Sequence, residues 1–205
     1  MNVICPNYEA EIATAKEFQK EYPCTYHVSL HAQFAKDQAA ILWLVHHFNV
    51  TSLCEIGTWE GYTSLFLWRN ANIKRQKAID ICSNFVGGGD GWHHDLDVYG
   101  KYFLGVTPIV LEKADTTRYV PKPEDHYDMV FIDGNHDYSY VKNDTKLAVK
   151  MEPQIVAFHD WQNGNPGVDK FLTELCGRTD VQNVYGSAVC FLEVTPADIA
   201  VITSL

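Results

Sequence analysis

The sequence predicts an α/β protein: a doubly wound, mostly parallel sheet with helices on both faces, an antiparallel edge and an N-terminal helical extension. Three observations predict it. From residue 50 onward, strand-like and helix-like segments alternate, as they do when helical crossovers join parallel strands. Two strand candidates, M-V-F-I and I-V-A-F, are apolar without a break, which suits strands covered on both faces. Finally, 46% of the 205 residues are apolar, enough to bury a substantial core in one domain over residues 1–205.

Residues 7–21 and 30–48 carry helical patterning and form the N-terminal segment, 1–49. In the second helix Leu30, Phe34, Ala40, Ile41, Leu44, Val45 and Phe48 follow one face. His46 and His47 close it, beside the negative end of its dipole. In the core, 50–205, strands are expected at 51–56, 77–82, 107–112, 127–132 and 154–159. Helices are expected at 60–70, 94–104, 138–151 and 167–176. The tail, 181–205, holds two or three strand-like runs that supply the antiparallel edge. The segment from Ser83 to Gly100 packs four glycines into five residues; it reads as a connector, or as a lid bringing Trp92, His93 and His94 to a substrate.

Sixteen Lys and Arg stand against 26 acids, a net charge of −10. That balance argues against nucleic acid as partner, because phosphate neutralisation needs clustered cations, and favours a small neutral or cationic substrate. The six cysteines (Cys5, Cys24, Cys54, Cys82, Cys176, Cys190) contain no C-x-x-C pair; Cys54, Cys82 and Cys190 fall in strand candidates as small buried apolar residues. The start M-N-V-I-C-P-N-Y-E lacks a basic leader, and the longest apolar run, Ala39 to Val45, is far short of the roughly 20 residues of a membrane span. The expected setting is cytoplasmic, without membrane, with a homo-oligomer left open. Motifs of nucleotide hydrolases, serine hydrolases and zinc peptidases are absent from the sequence.

The most informative stretch is L-C-E-I-G-T-W-E-G, Leu53 to Gly61. An apolar strand runs into an acid, a glycine turn and a helix start. The spacing Glu55-x-Gly57-x-x-x-Gly61 departs from the dinucleotide fingerprint, whose second and third glycines would fall on Trp59 and Tyr62. The turn therefore suits an adenosine-containing ligand without a diphosphate. Ligands of open parallel sheets bind beyond the carboxyl ends of the strands, and acids gather there: Glu55, Asp80, Asp115, Asp133 and Asp160, the last preceded by His159.

Taken together, E-I-G-T-W-E-G, K-A-I-D-I, L-E-K-A-D-T, Y-D-M-V-F-I-D-G-N-H-D-Y and I-V-A-F-H-D-W resemble class I S-adenosylmethionine-dependent methyltransferases over about residues 50–160. The likeness is to the small-molecule O-methyltransferase branch, catechol-type and macrocin-type sugar enzymes included. It implies the Rossmann-like methyltransferase fold and S-adenosylmethionine as cofactor. Glu55, Gly57, Thr58 and Gly61 would form the turn at the methionine part. Asp80 would take the ribose hydroxyls, Asp115 the adenine amino group, and Asp133 would close the same pocket. The resemblance further implies a divalent cation at the ends of the fourth and fifth strands, held by Asp133, His159 and Asp160. His136 takes the place of the family's catalytic lysine. Two departures stand out: a histidine replaces an oxygen ligand at position 159, and the glycine pair usual before the fifth strand is missing from M-E-P-Q-I-V.

Methyl transfer from a sulfonium is an in-line displacement that needs positioning and a deprotonated acceptor. A cation would lower the pKa of a bound hydroxyl, and His136 would accept its proton. Oxygen ligands suit Mg²⁺; an added imidazole moves the preference toward Mn²⁺, Fe²⁺ or Zn²⁺, and Mg²⁺ or Mn²⁺ is expected. Two alternatives remain at this point: a metal-independent small-molecule methyltransferase in which His136 is the base, and a nucleoside-binding protein of the same fold without activity.

Overall fold

A computed structural model describes residues 1–22, 31–82, 85–86, 92–93, 99–105 and 107–205. The N-terminal part contains strand β1 (Asn2–Ile4), helix α1 (Glu9–Glu21) and helix α2 (His31–His47). Then follow β2 (Ser52–Ile56), α3 (Tyr62–Asn70), β3 (Arg75–Asp80), the short β4 (Phe85–Val86) and β5 (Trp92–His93), and β6 (Val110–Lys113). The second half comprises β7 (Met129–Ile132), α4 (Tyr138–Val149), β8 (Ile155–Phe158), α5 (Pro166–Cys176), β9 (Gln182–Val184), β10 (Cys190–Glu193) and α6 (Pro196–Ser204).

Eight strands form one sheet in the order β1-β9-β10-β8-β7-β2-β3-β6, and β4 pairs with β5 in a separate ribbon. The run from β6 to β8 is parallel throughout, and β10 is antiparallel to both β8 and β9. The doubly wound sheet with an antiparallel end is therefore as the sequence predicts. The outermost position is taken by β1, parallel to β9, a strand for which the first residues gave no signal.

Side chains alternate along the central strands into two cores. Leu53, Phe131 and Ala157 join α1, α2 and α3 on one face. Cys54, Val130, Val156 and Phe158 join α4, α5 and α6 on the other. Both faces being apolar is why these strands read as unbroken apolar runs. The helix after β2 and the helix after β7 thus lie on opposite faces, although β2 and β7 are neighbours, in register from Leu53↔Met129 to Ile56↔Ile132. The chain leaves these two strands in opposite directions, which opens a crevice beyond their carboxyl ends, the usual ligand position in such sheets.

Three expectations need correction. The helix expected at 94–104 is not seen where the chain is described: 99–105 form turns, and 94–98 lie outside the described residues. The last strand-like run of the tail is α6, started by a capping box between Thr195 and Asp198 with Pro196 in its first turn. Cys82 sits just past β3 rather than within it, with its backbone in the left-handed region. Most of the glycine-rich segment 83–100, with His94, also lies outside the described residues, as does Cys24. The other five cysteines are free thiols.

Candidate active site

The ladder continues past the strand ends and aligns the residues that follow. The Gly57 amide donates to Ile79, that of Asp133 to Ile56, and that of His159 to Ile132. Gly57, Asp133 and His159 consequently stand side by side at one rim, one residue beyond β2, β7 and β8.

The turn after β2 is built around Gly57 and Gly61, both with φ in the left-handed region, +83° and +82°. At Gly57 a Cβ would overlap the Asp133 carbonyl oxygen and the Gly134 Cα, so only glycine lets the two loops of the crevice touch. Behind the turn lies Glu55, 2% exposed. Its Oε2 accepts hydrogen bonds from the Thr58 hydroxyl at 2.7 Å and from Ser64. Burial pushes the Glu55 carboxyl up to about 7, against the pull of the two hydroxyls. Asp80, at the end of β3, accepts from the amides of Thr58 (2.9 Å), Trp59 (3.0 Å) and Cys82 (2.9 Å). Its carboxylate clamps the turn, and of about four acceptor positions one is left. Asp115, after β6, is one-third exposed and accepts from the Thr117 amide and hydroxyl.

Across the crevice the acids meet imidazoles. His159 Nδ1 lies 3.1 Å from Asp133 Oδ1 and 3.4 Å from Asp160 Oδ1. His136 Nε2 lies 2.8 Å from Asp160 Oδ2. Asp160 adopts φ +64°, a conformation that aspartate tolerates better than most residues, and its buried carboxylate serves both rings. Burial alone would raise the Asp160 pKa; the hydrogen bonds from His136 and His159 reverse that and hold it far below the usual carboxylate range. For His159 burial lowers, but the charge of Asp133 and bonds to the surrounding carboxylates lift it well above the ordinary value. The Asp160 bond also raises His136, whose side chain is half exposed. A small hollow lined by Asp133, Asn135, His136, His159 and Val168 lies at these strand ends.

One participant was missed. Asp37, on the second turn of α2, is 3% exposed, and its Oδ2 lies 3.3 Å from His159 Nε2. The available signal was a polar run, Lys36-Asp37-Gln38, just before the apolar stretch Ala39 to Val45. Gln38 is 1% exposed, and neither amide atom has a hydrogen-bond partner among the described residues. Phe34, one turn earlier on the same stripe, packs against Tyr62 at the start of α3.

The candidate residues thus divide. Asp133, His159 and Asp160 each offer one ligand atom, all within 4.8 Å of one another, a set able to hold a metal ion. His136 joins them through Asp160. Gly57, Thr58, Gly61 and Asp80 form the turn beside them, Glu55 supports it from below, and Asp115 stands separately beyond β6.

A family of methyltransferase domains matches residues 54–161, which hold the turn and all these strand-end residues; Asp37, on α2, lies outside it. The chain belongs to that family. Solved structures agree on the fold. An O-methyltransferase, TomG from Streptomyces achromogenes, in complex with SAM, is 18% identical with TM-score 0.53, over 90% of each chain. SAH-bound methyltransferase PaMTH1 from Podospora anserina is 14% identical with TM-score 0.54, over 93% of this chain and 88% of its own. N-methyltransferase NodS from Bradyrhizobium japonicum, with SAH, is 16% identical with TM-score 0.52, over 87% and 95%. No curated protein matches the sequence. The methyltransferase resemblance read from the motifs is borne out, and with it an enzyme. Among the described residues, no helix is long and apolar enough to cross a membrane.

Proposed function

We propose that this methyltransferase moves the methyl group of S-adenosylmethionine to a hydroxyl of a small molecule, with a divalent cation held by Asp133, His159 and Asp160. The observation that carries the reading is the meeting of the Gly57 turn with the Asp133 loop at the mouth between β2 and β7.

The residues fit the cofactor in kind. Backbone amides and glycines approach closely at the turn, Asp80 keeps one acceptor position for a ribose hydroxyl, and Asp115 stands at the adenine side. Glu55 acts indirectly, by holding Thr58. The donor set of two carboxylates and an imidazole fits a divalent ion. When bound, such an ion would lower the pKa of an acceptor hydroxyl and orient it. His136, half exposed and steadied by Asp160, receives the proton; the turn and the Asp133 loop hold methyl donor and acceptor at attack distance.

A second reading rests on the His136–Asp160 pair. An imidazole backed by a carboxylate is a complete general base, so the metal is dispensable and the acceptor extends to nitrogen.

Calorimetric titration with S-adenosylhomocysteine, with and without Mg²⁺ or Mn²⁺, tests the proposal. Micromolar binding that Asp80→Ala abolishes is expected. Absence of binding at millimolar ligand overturns it. Transfer to a panel of phenols, sugars and amines, after chelation and after returning Mn²⁺, separates the two readings.

A further inference from the structure

Among the described residues, His159 is the one ring in the site whose two nitrogens face different acids. Nδ1 faces Asp133 and Asp160, and Nε2 faces Asp37. An imidazole that binds an ion through one nitrogen needs the other to carry a proton, and a carboxylate behind it fixes that tautomer. We propose that Asp37 is the positioning residue for His159: it accepts a hydrogen bond from Nε2–H and leaves Nδ1 as the electron-pair donor between Asp133 and Asp160, so that the site prefers a transition-metal dication to Mg²⁺. The inference rests on the cation reading above and adds to it an ion class and a residue outside the region matched by the family.

Asp37 is itself held. Its Oδ1 accepts the Ala188 amide at 2.8 Å and the Gln33 side-chain amide at 2.9 Å. Those two donors decide which oxygen turns to the ring, and it is Oδ2 that faces Nε2. The arrangement ties α2 and the turn before β10 to the end of β8 through a single carboxylate. An asparagine here would keep its carbonyl oxygen toward Ala188 and Gln33. Its NH₂ would then meet Nε2, favouring the tautomer with the proton on Nδ1, where an ion would sit. Asp37→Asn is accordingly a small change to the packing and a large one to the ring.

The test titrates Mn²⁺ and Mg²⁺ into the wild-type chain, Asp37→Asn and Asp37→Ala, after melting curves for each. Wild type is expected to bind Mn²⁺ more tightly than Mg²⁺ and to show nitrogen modulation from one imidazole in the pulsed electron paramagnetic resonance of bound Mn²⁺. Asp37→Asn should weaken Mn²⁺ by roughly 10- to 100-fold, as loss of such a partner does elsewhere, remove the nitrogen signal and leave Mg²⁺ less affected. Mn²⁺ bound by wild type without nitrogen coupling overturns the inference while the cation site stands. So does an Asp37→Asn chain that folds and binds both ions as wild type does. A wild-type chain that binds neither ion removes the cation reading itself, and this inference with it. The nitrogen signal comes from wild type, so the test holds if both variants fail to fold.

Discussion

The two sides of the crevice use acids in opposite ways. On the β2–β3 side, Glu55 and Asp80 meet neutral donors: two hydroxyls for one, three backbone amides for the other. On the β7–β8 side, Asp133, Asp160 and Asp37 share two imidazoles. Neutral donors fix shape and leave a deeply buried carboxyl reluctant to ionise, so Glu55 is pushed up to about 7. Imidazoles supply charge, so Asp160 is driven far the other way despite its burial. An acid at a strand end is therefore not a role in itself; the donors around it decide whether it builds the pocket or works in it.

The largest expected effect falls on the charged side. Asp133→Ala removes the most exposed of the three carboxylates facing His159, and methyl transfer to a responsive acceptor should fall on the order of 10³-fold, about 4 kcal/mol of barrier. S-adenosylhomocysteine affinity, measured by calorimetry, should stay within a few-fold. An equal loss of both would place Asp133 on the binding side and erase the contrast.

On the neutral side the effect should appear in stability. Gly57→Ala puts a methyl group into the Asp133–Gly134 backbone at a left-handed position. Overpacking and the backbone penalty together should cost about 3 kcal/mol, read as a shift in the urea midpoint. A midpoint unchanged within error would mean that the two loops do not press together.

Glu55 gives the contrast a pH signature. Its carboxyl binds a proton more tightly folded, near 7, than unfolded, at the ordinary 4.5. Between those values the native state holds more protons, so stability falls as pH rises, with the loss complete above about 7. The full loss is about 3 kcal/mol at most. Glu55→Gln should remove it: the difference in unfolding free energy between wild type and variant should drift in the variant's favour from pH 4.5 to 7 and then level off. The window differs from that of His159, whose raised pKa gives stability present below 6.5 and lost at higher pH. A difference that stays flat across 4.5–7 would show Glu55 to be ionised throughout.

Much of this layout was legible in the chain. Unbroken apolar runs gave β7 and β8, and E-I-G-T-W-E-G gave the β2–α3 turn, because both signals are local. The acids at strand ends were legible for the same reason. What each acid bonds to was not, since the partners of Asp80 and Asp160 depend on how turns fold back. Asp37 lies 122 residues from His159, and only tertiary packing brings them together. Helix α6 was misread for a different reason: Ile199, Val201 and Ile202 suggest a strand, while Thr195, Pro196 and Asp198 carry the start signal that prevailed. At β1 two exposed residues and one partly buried give too short a pattern to read, and pairing with β9 decides their conformation.

The smallest expected effect on the fold is at Asp115, and it sharpens the comparison most. Its carboxylate accepts only local bonds from Thr117, with Arg118 at 3.9 Å, and it is one-third exposed. Those local bonds hold its carboxyl below the usual value, but exposed groups of this kind carry little stability. Asp115→Asn should change the unfolding free energy by less than about 1 kcal/mol. If Asp115 receives the adenine amino group, the same substitution should still weaken S-adenosylhomocysteine roughly tenfold, about 1.4 kcal/mol, because an amide can present its own donors where only acceptors serve. Glu55 and Asp80 are engaged by donors of the protein itself; Asp115 would bind ligand and almost nothing else. A variant with unchanged affinity would move the adenine to another part of the rim and leave Asp115 as the cap of its own turn.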